Sequence, residues 1–180
     1  MRPWDPSDGH NALIAPPSIL VGTTERTAWI RVEGKGSFVN STGLKDFARE
    51  MTNRGFREFV VDLKNCPVMD STFMGTLAGM ALRLREIGQG RLCVINLNDR
   101  NRDLLGNLGL DQLFAMDVKP AAEPVEVCQE ALTSNGSEDK VTRAQTMLAA
   151  HEACVEANPE NAAKFKDVLE YLKQDLHRAR

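Results

Sequence analysis

The chain has 180 residues, a net charge of −3 and 42% hydrophobic residues, which suits one compact domain with roughly 40 to 50 residues beyond it. With no basic block, this mild acidity argues against electrostatic binding to nucleic acid or anionic lipid, and no apolar run approaches the ~20 residues of a membrane span. The start, MRPWDPSDGHNALIAPPS, lacks the basic-then-apolar layout of a signal peptide, so a cytoplasmic protein is expected.

Residues 1–17 carry Pro3, Pro6, Pro16 and Pro17 without an apolar period and read as a flexible arm. Ile19 to Thr23 and Thr27 to Glu33 then form two β-like runs around Thr24-Glu25-Arg26. In the second, Ala28, Ile30 and Val32 alternate with Trp29, Arg31 and Glu33, which predicts a hairpin with one wet face. After Gly34-Lys35-Gly36, Asn40 or Ser41 can cap a helix with Leu44, Phe47, Ala48 and Met51 at i, i+3, i+4 and i+7, ended by Gly55.

The most informative stretch is Phe59 to Gly90, FVVDLKNCPVMDSTFMGTLAGMALRLREIGQG. It predicts a buried strand over Phe59 to Leu63, a loop through Pro67, and a helix opening at Asp70-Ser71-Thr72. A carboxylate suits the N-cap, because it accepts unpaired N–H groups of the first turn. That places Ser71 at the first helical position, at an exposed end where the helix dipole is positive. Phe73, Leu77, Met80, Leu84 and Ile87 form the core face. Gly75 and Gly79 each cost about 1 kcal/mol inside a helix relative to alanine, so the sheet or a partner helix must approach closely there.

Arg91 to Asn96 predicts another buried strand, Asn98 or Asp99 a cap for a short helix stopped at Gly109, and Phe114 to Val118 an edge strand. Pro124 with Val125, Cys128 and Leu132 predicts a closing helix. The alternation from Thr27 to Val118 implies an α/β fold with a mixed, mostly parallel sheet carrying packed helices, over 18–133.

Residues 134–137, Ser-Asn-Gly-Ser, read as a linker, and 138–180 as a C-terminal α-helical hairpin turning at Asn158-Pro159-Glu160. Its first helix has an apolar side of Val141, Ala144, Met147, Leu148 and Val155, interrupted by His151. Its second carries a stripe of Phe165, Val168, Leu169, Leu172 and Leu176. Such a pair cannot bury both stripes alone. It is expected to dock through Phe165, Leu169, Leu172 and Leu176 on the main domain, a second copy or a partner.

Cofactor and metal chemistry have little to rest on. Cys66, Cys93, Cys128 and Cys154 form no CxxC pair and read as reduced buried thiols. Cys66, before Pro67, has only Lys64 as a basic neighbour and reads as a packed loop thiol. No P-loop, G-x-S-x-G or H-E-x-x-H motif is present, and His10, His151 and His177 lie outside the main domain. No enzyme, cofactor or metal is therefore expected.

The domain order and the segment VVDLKNCPVMDSTFMG resemble the STAS family, the sulfate-transporter and anti-sigma-factor-antagonist domain, over about residues 18 to 133. Within it the chain is similar to bacterial anti-sigma factor antagonists, whose strand ends in Asp-Leu and whose helix starts Asp-Ser-(Ser/Thr)-x-x-Gly. Here these are Asp62-Leu63 and Asp70-Ser71-Thr72-Phe73-Met74-Gly75. The resemblance implies that Ser71 is the phosphoacceptor and that Asp70, Ser71, Thr72, Phe73 and Met74 bind the partner. That partner would be a serine-kinase anti-sigma factor, with a metal-dependent serine phosphatase reversing the modification and transcription regulated indirectly. Phe73 and Met74 replace the Gly-Leu of many members and make the first turn bulkier. The alternatives are a non-switching STAS scaffold in a larger assembly, such as a stressosome-like or lipid-transport complex, and a small α/β hydrolase or thiol enzyme.

Overall fold

Strands form where β-branched and aromatic residues alternate or run together. The computed structural model describes residues 17–116, 118–119, 124–132 and 138–179. β1 (Ser18–Thr23) and β2 (Thr27–Glu33) form the expected hairpin, paired antiparallel from Ser18 with Glu33 to Thr23 with Ala28. β3 (Glu58–Asn65) lies parallel to β2, β4 (Arg91–Ile95) parallel to β3, and β5 (Ala115–Met116) parallel to β4 at the edge. β6 (Glu130–Ala131) pairs antiparallel with β1, completing a sheet of order β5-β4-β3-β2-β1-β6. The sheet is mixed and mostly parallel, as predicted.

One sheet face carries α1 (Phe38–Asn53), α2 (Ser71–Ile87) and α3 (Asp99–Asn107). Ile30, Val61 and Val94 from the strands meet Leu44, Phe73, Leu77 and Leu105 there, all fully buried. Residues facing this core are every second one along each strand, and β3 and β4 are also buried on their other face at Val60, Cys93 and Ile95. Asn98 caps α3, its side chain accepting from Asn101 N at 2.8 Å, and Gly109 takes the left-handed φ of 64° after it.

Three local expectations are corrected. α1 starts earlier than Asn40 or Ser41: Ser37 is the N-cap, its hydroxyl accepting from Val39 N, while the Asn40 side chain accepts from Ser37 N at 3.0 Å. Asn40 is thus the third residue of a capping box rather than the cap. The predicted wet face of the hairpin is covered at Trp29, which is 2% exposed and clusters with Val60, Cys93, Ile95 and Cys128. The short α4 (Pro124–Val127) does the covering, and a Cβ on Gly22 would meet Val127 O. The closing helix therefore stops early. The chain turns into β6, and Leu132 N donates to Ile19 O at 2.8 Å.

The C-terminal helices make a third layer. α5 (Lys140–Ala157), capped by Asp139, lies along α2 on the side away from the sheet. The second helix is divided into α6 (Asn161–Lys164) and α7 (Lys166–Arg178) at Phe165, whose φ of −108° and ψ of 10° leave helical geometry. α7 packs on α5. The predicted arm, apart from Pro17, and the predicted linker 134–137 lie outside the described residues.

Candidate functional site at the start of helix α2

Asp70 holds two helix starts together. Its Oδ1 accepts from Phe73 N and its Oδ2 from Phe38 N, each at 2.9 Å, so one carboxylate serves the first turns of both α2 and α1. Backbone bonds stitch the two preceding loops, from Gly36 N to Val68 O and from Asp70 N to Gly36 O. Ser71 is then the first residue of α2, as the sequence predicted.

The environment of that hydroxyl differs from the exposed end expected. Ser71 is half-buried, and its Oγ lies 3.1 Å from Nε2 of His151, eighty positions later in the chain. His151 Nδ1 lies 2.7 Å from Met147 O. A carbonyl only accepts, so Nδ1 carries a proton; in the neutral imidazole Nε2 is then the acceptor and the Ser71 hydroxyl donates. His151 is 3% exposed, and the Phe165 ring meets it edge-on, with centroids 4.8 Å apart and planes at 77°. A serine donating to an oriented histidine is also how a nucleophile and its base are paired.

α5 reaches this point because α2 has no side chains in the way. A Cβ on Gly75 would stand 2.2 Å from Ala150 O, and one on Gly79 would touch the Ala153 Cβ at 3.7 Å. Both glycines therefore face a helix rather than the sheet, and Gly75 is the one whose missing side chain the close approach requires. Thr42 on α1 adds a buried hydrogen bond to Thr146 on α5, 3.1 Å. At the far end Asn161 Nδ2 donates to Leu108 O at 2.8 Å and to Cys154 O at 2.9 Å.

Of the five residues expected to bind a partner, Asp70 and Ser71 are half-buried, while Thr72, Phe73 and Met74 are 3%, 0% and 4% exposed. Phe73 points into the core, where its ring would clash with a Cβ on Gly36. Of the expected docking residues, Leu172 is buried, Phe165 packs against the main core, and Leu169 and Leu176 are half-buried; Val168 and Tyr171 of the same helix are exposed.

His151 is the residue that sequence reasoning missed. Its signal was its position among apolar residues of α5, since a polar side chain turned inward needs a partner. Cys66 is a packed loop thiol; burial pushes it above the ordinary thiol value, and its Sγ donates to Val68 O at 3.5 Å. A half-open groove of about 390 Å³ runs beside the contact, lined by Lys45 and Ala48 of α1, Met80 of α2 and Thr146 of α5. Among the described residues, no group of three or more His, Cys, Asp or Glu is placed to hold a metal, and no helix is long and apolar enough to cross a membrane.

Comparison with known proteins bears on the fold. The chain is similar in fold to a Thermotoga maritima protein, TM1081, described as a candidate anti-sigma factor antagonist. The TM-score is 0.53 at 14% identity, covering 62% of this chain and 95% of that one. It is also similar to the anti-sigma factor antagonist SpoIIAA in its unphosphorylated form, with TM-score 0.50, 18% identity, and coverage of 56% and 89%. No curated protein sequence matches significantly. A family model for the STAS domain matches residues 18–123, which is more than half of the chain and takes in β1 to β5 with Asp70 and Ser71 at the start of α2, and the chain belongs to the STAS family.

Proposed function

We propose that this chain is a phospho-switchable anti-sigma factor antagonist, a binding module rather than an enzyme. Unmodified, it binds a serine-kinase anti-sigma factor; phosphorylated on Ser71, it releases that partner, and a metal-dependent serine phosphatase resets it. Transcription is regulated indirectly. The observation that carries this reading is the placement of the Ser71 hydroxyl at the first position of α2, beside a capping carboxylate, in a STAS domain.

A phosphate there adds about −1.5 to −2 charge where the dipole favours it by about 0.3 to 2 kcal/mol, so the modified domain stays folded. In a complex the same dianion would lose water against a surface shaped for a hydroxyl. An uncompensated buried charge costs roughly 3 to 5 kcal/mol, or about two to four decades in affinity. The test is incubation of the full chain with ATP and serine kinases from its own genome, with the phosphate located by mass spectrometry. Ser71 is expected to be labelled, and Ser71→Ala to resist labelling and bind constitutively. Phosphate at Thr72 or Ser37 instead would refute the site. A second reading, a non-switching STAS scaffold, is favoured by the burial of Thr72, Phe73 and Met74. It takes over if no kinase labels the chain and Ser71→Asp leaves every partner bound.

A further inference from the structure

We infer that the hairpin of α5 to α7 is a lid: an intramolecular occupant of the α2 surface that covers Ser71 and must leave before a protein partner can reach it. As a statement about regulation, this rests on the reading of Ser71 given above. As a statement about the hairpin, it does not.

Two observations point to it. The STAS match ends at residue 123, so the hairpin lies outside the matched domain. The hairpin nevertheless sits on Ser71, one of the residues expected to meet a partner, and on the glycine face of α2 that continues from it. His151 holds the Ser71 hydroxyl, Ala150 lies against Gly75, and Ala153 meets Gly79. An incoming protein and α5 therefore compete for one helix face, which couples occupancy of that face to lid opening.

The seat is extensive but one-sided. Against the α2 glycines it uses small side chains where the domain core uses Phe59, Phe73, Leu77 and Leu84, and the Thr42–Thr146 and Asn161–Leu108 hydrogen bonds and Phe165 against the main core also hold the hairpin. The groove of about 390 Å³ between α1 and α5 leaves one side of the contact open. A unit with solvent along one side can open locally, below the free energy of global unfolding.

The chain carries its own reporters. Cys154 lies one turn after Ala150 on the same face of α5 and is 0% exposed, whereas Cys93 is buried in β4 on the opposite face of the sheet. Lid opening uncovers Cys154 and spares Cys93; global unfolding uncovers both. Gly75→Ala drives a Cβ against Ala150 O while placing a better helix former in α2, so it ejects the lid without weakening the helix beneath. Ala150→Glu attacks the same contact from the lid side and leaves α2 unchanged.

The experiment is alkylation with iodoacetamide at pH 8, with rates at each cysteine read by mass spectrometry on folded full-length chains. Cys154 is expected to react at least about tenfold faster in both variants than in the parent, with Cys93 unchanged, as separate opening of one unit requires. Cys154 rates that stay at the parental level, or that rise together with Cys93, overturn the lid. With a kinase that labels Ser71, Gly75→Ala is expected to take up phosphate faster than the parent; equal rates overturn the gating role. Absence of Ser71 phosphate in both chains refutes the switch reading alone, and the Cys154 rates still decide whether the hairpin is a lid.

Discussion

The Ser71 to His151 hydrogen bond can be isolated by a double-mutant cycle. His151→Ala removes three interactions: Nε2 with Ser71 Oγ, Nδ1 with Met147 O, and the ring contact with Phe165. Two neutral hydrogen bonds at about 1 kcal/mol each and an aromatic contact of about 0.5 to 1.5 give an expected destabilisation of about 2.5 to 3.5 kcal/mol. Met147 lies on α5 itself, so that bond survives undocking and does not hold the lid. Ser71→Ala removes only the shared bond. The coupling between the two sites is therefore expected at about 0.5 to 1.5 kcal/mol. Urea unfolding of the parent, both single variants and the double variant measures it, provided the slopes agree. Coupling below about 0.3 kcal/mol, the usual scatter for independent sites, would refute the reasoning that this contact ties α5 to the start of α2.

Two further outcomes follow from the same geometry. Asp70→Ala strips acceptors from both Phe73 N and Phe38 N, and a lost cap of this kind is expected to cost about 1 to 2 kcal/mol, with Asp70→Asn milder. An unchanged melting temperature in Asp70→Ala would show that water replaces the carboxylate at both helix ends. Burial pushes the Cys154 thiol from 9.0 up to about 11. The folded chain therefore favours the neutral thiol, and the stability this contributes is fully present below pH 9 and lost as pH rises toward 11. The slope approaches about 1.36 kcal/mol per pH unit for this one group. Stability measured at pH 8 and pH 10 should fall more steeply in the parent than in Cys154→Ala; equal slopes would place Cys154 outside the linkage.

How much of this was legible in the sequence depended on the range of each interaction. β3, α2 and the Asp70 cap were readable because apolar period, cap chemistry and glycine stops all act within a few residues. α4 and β6 were not, because Val125, Cys128 and Leu132 fit a helical face as well as they fit a turn followed by pairing with β1. Burial of Trp29 was equally hidden, since its cover comes from a segment about a hundred residues later. At the site, Ser71 was found from local pattern and His151 was not. Their contact spans eighty positions, and the sequence marks it only by a polar residue on an apolar face and by two glycines on the helix it meets.

Those two glycines bear on function as well as packing. In a helix interior each forfeits about 1 kcal/mol relative to alanine, and the core face of α2 does not need them, since Phe73, Leu77, Met80 and Leu84 already fill it. What Gly75 provides is room on the opposite face for a backbone as close as that of Ala150, while Gly79 faces Ala153 at ordinary contact distance. A helix face kept bare in this way accepts one helix at a time. With α5 resting there, the Ser71 hydroxyl is engaged by His151; with α5 away, the same groups are free for another protein. On the proposed reading, the balance between antagonist and partner is set by how tightly the hairpin is held, and the contact of Ala150 with Gly75 is one part of that hold beside the Thr42–Thr146 and Asn161–Leu108 hydrogen bonds. Substitutions at Ala150 and Ala153 should therefore tune partner affinity without touching Ser71.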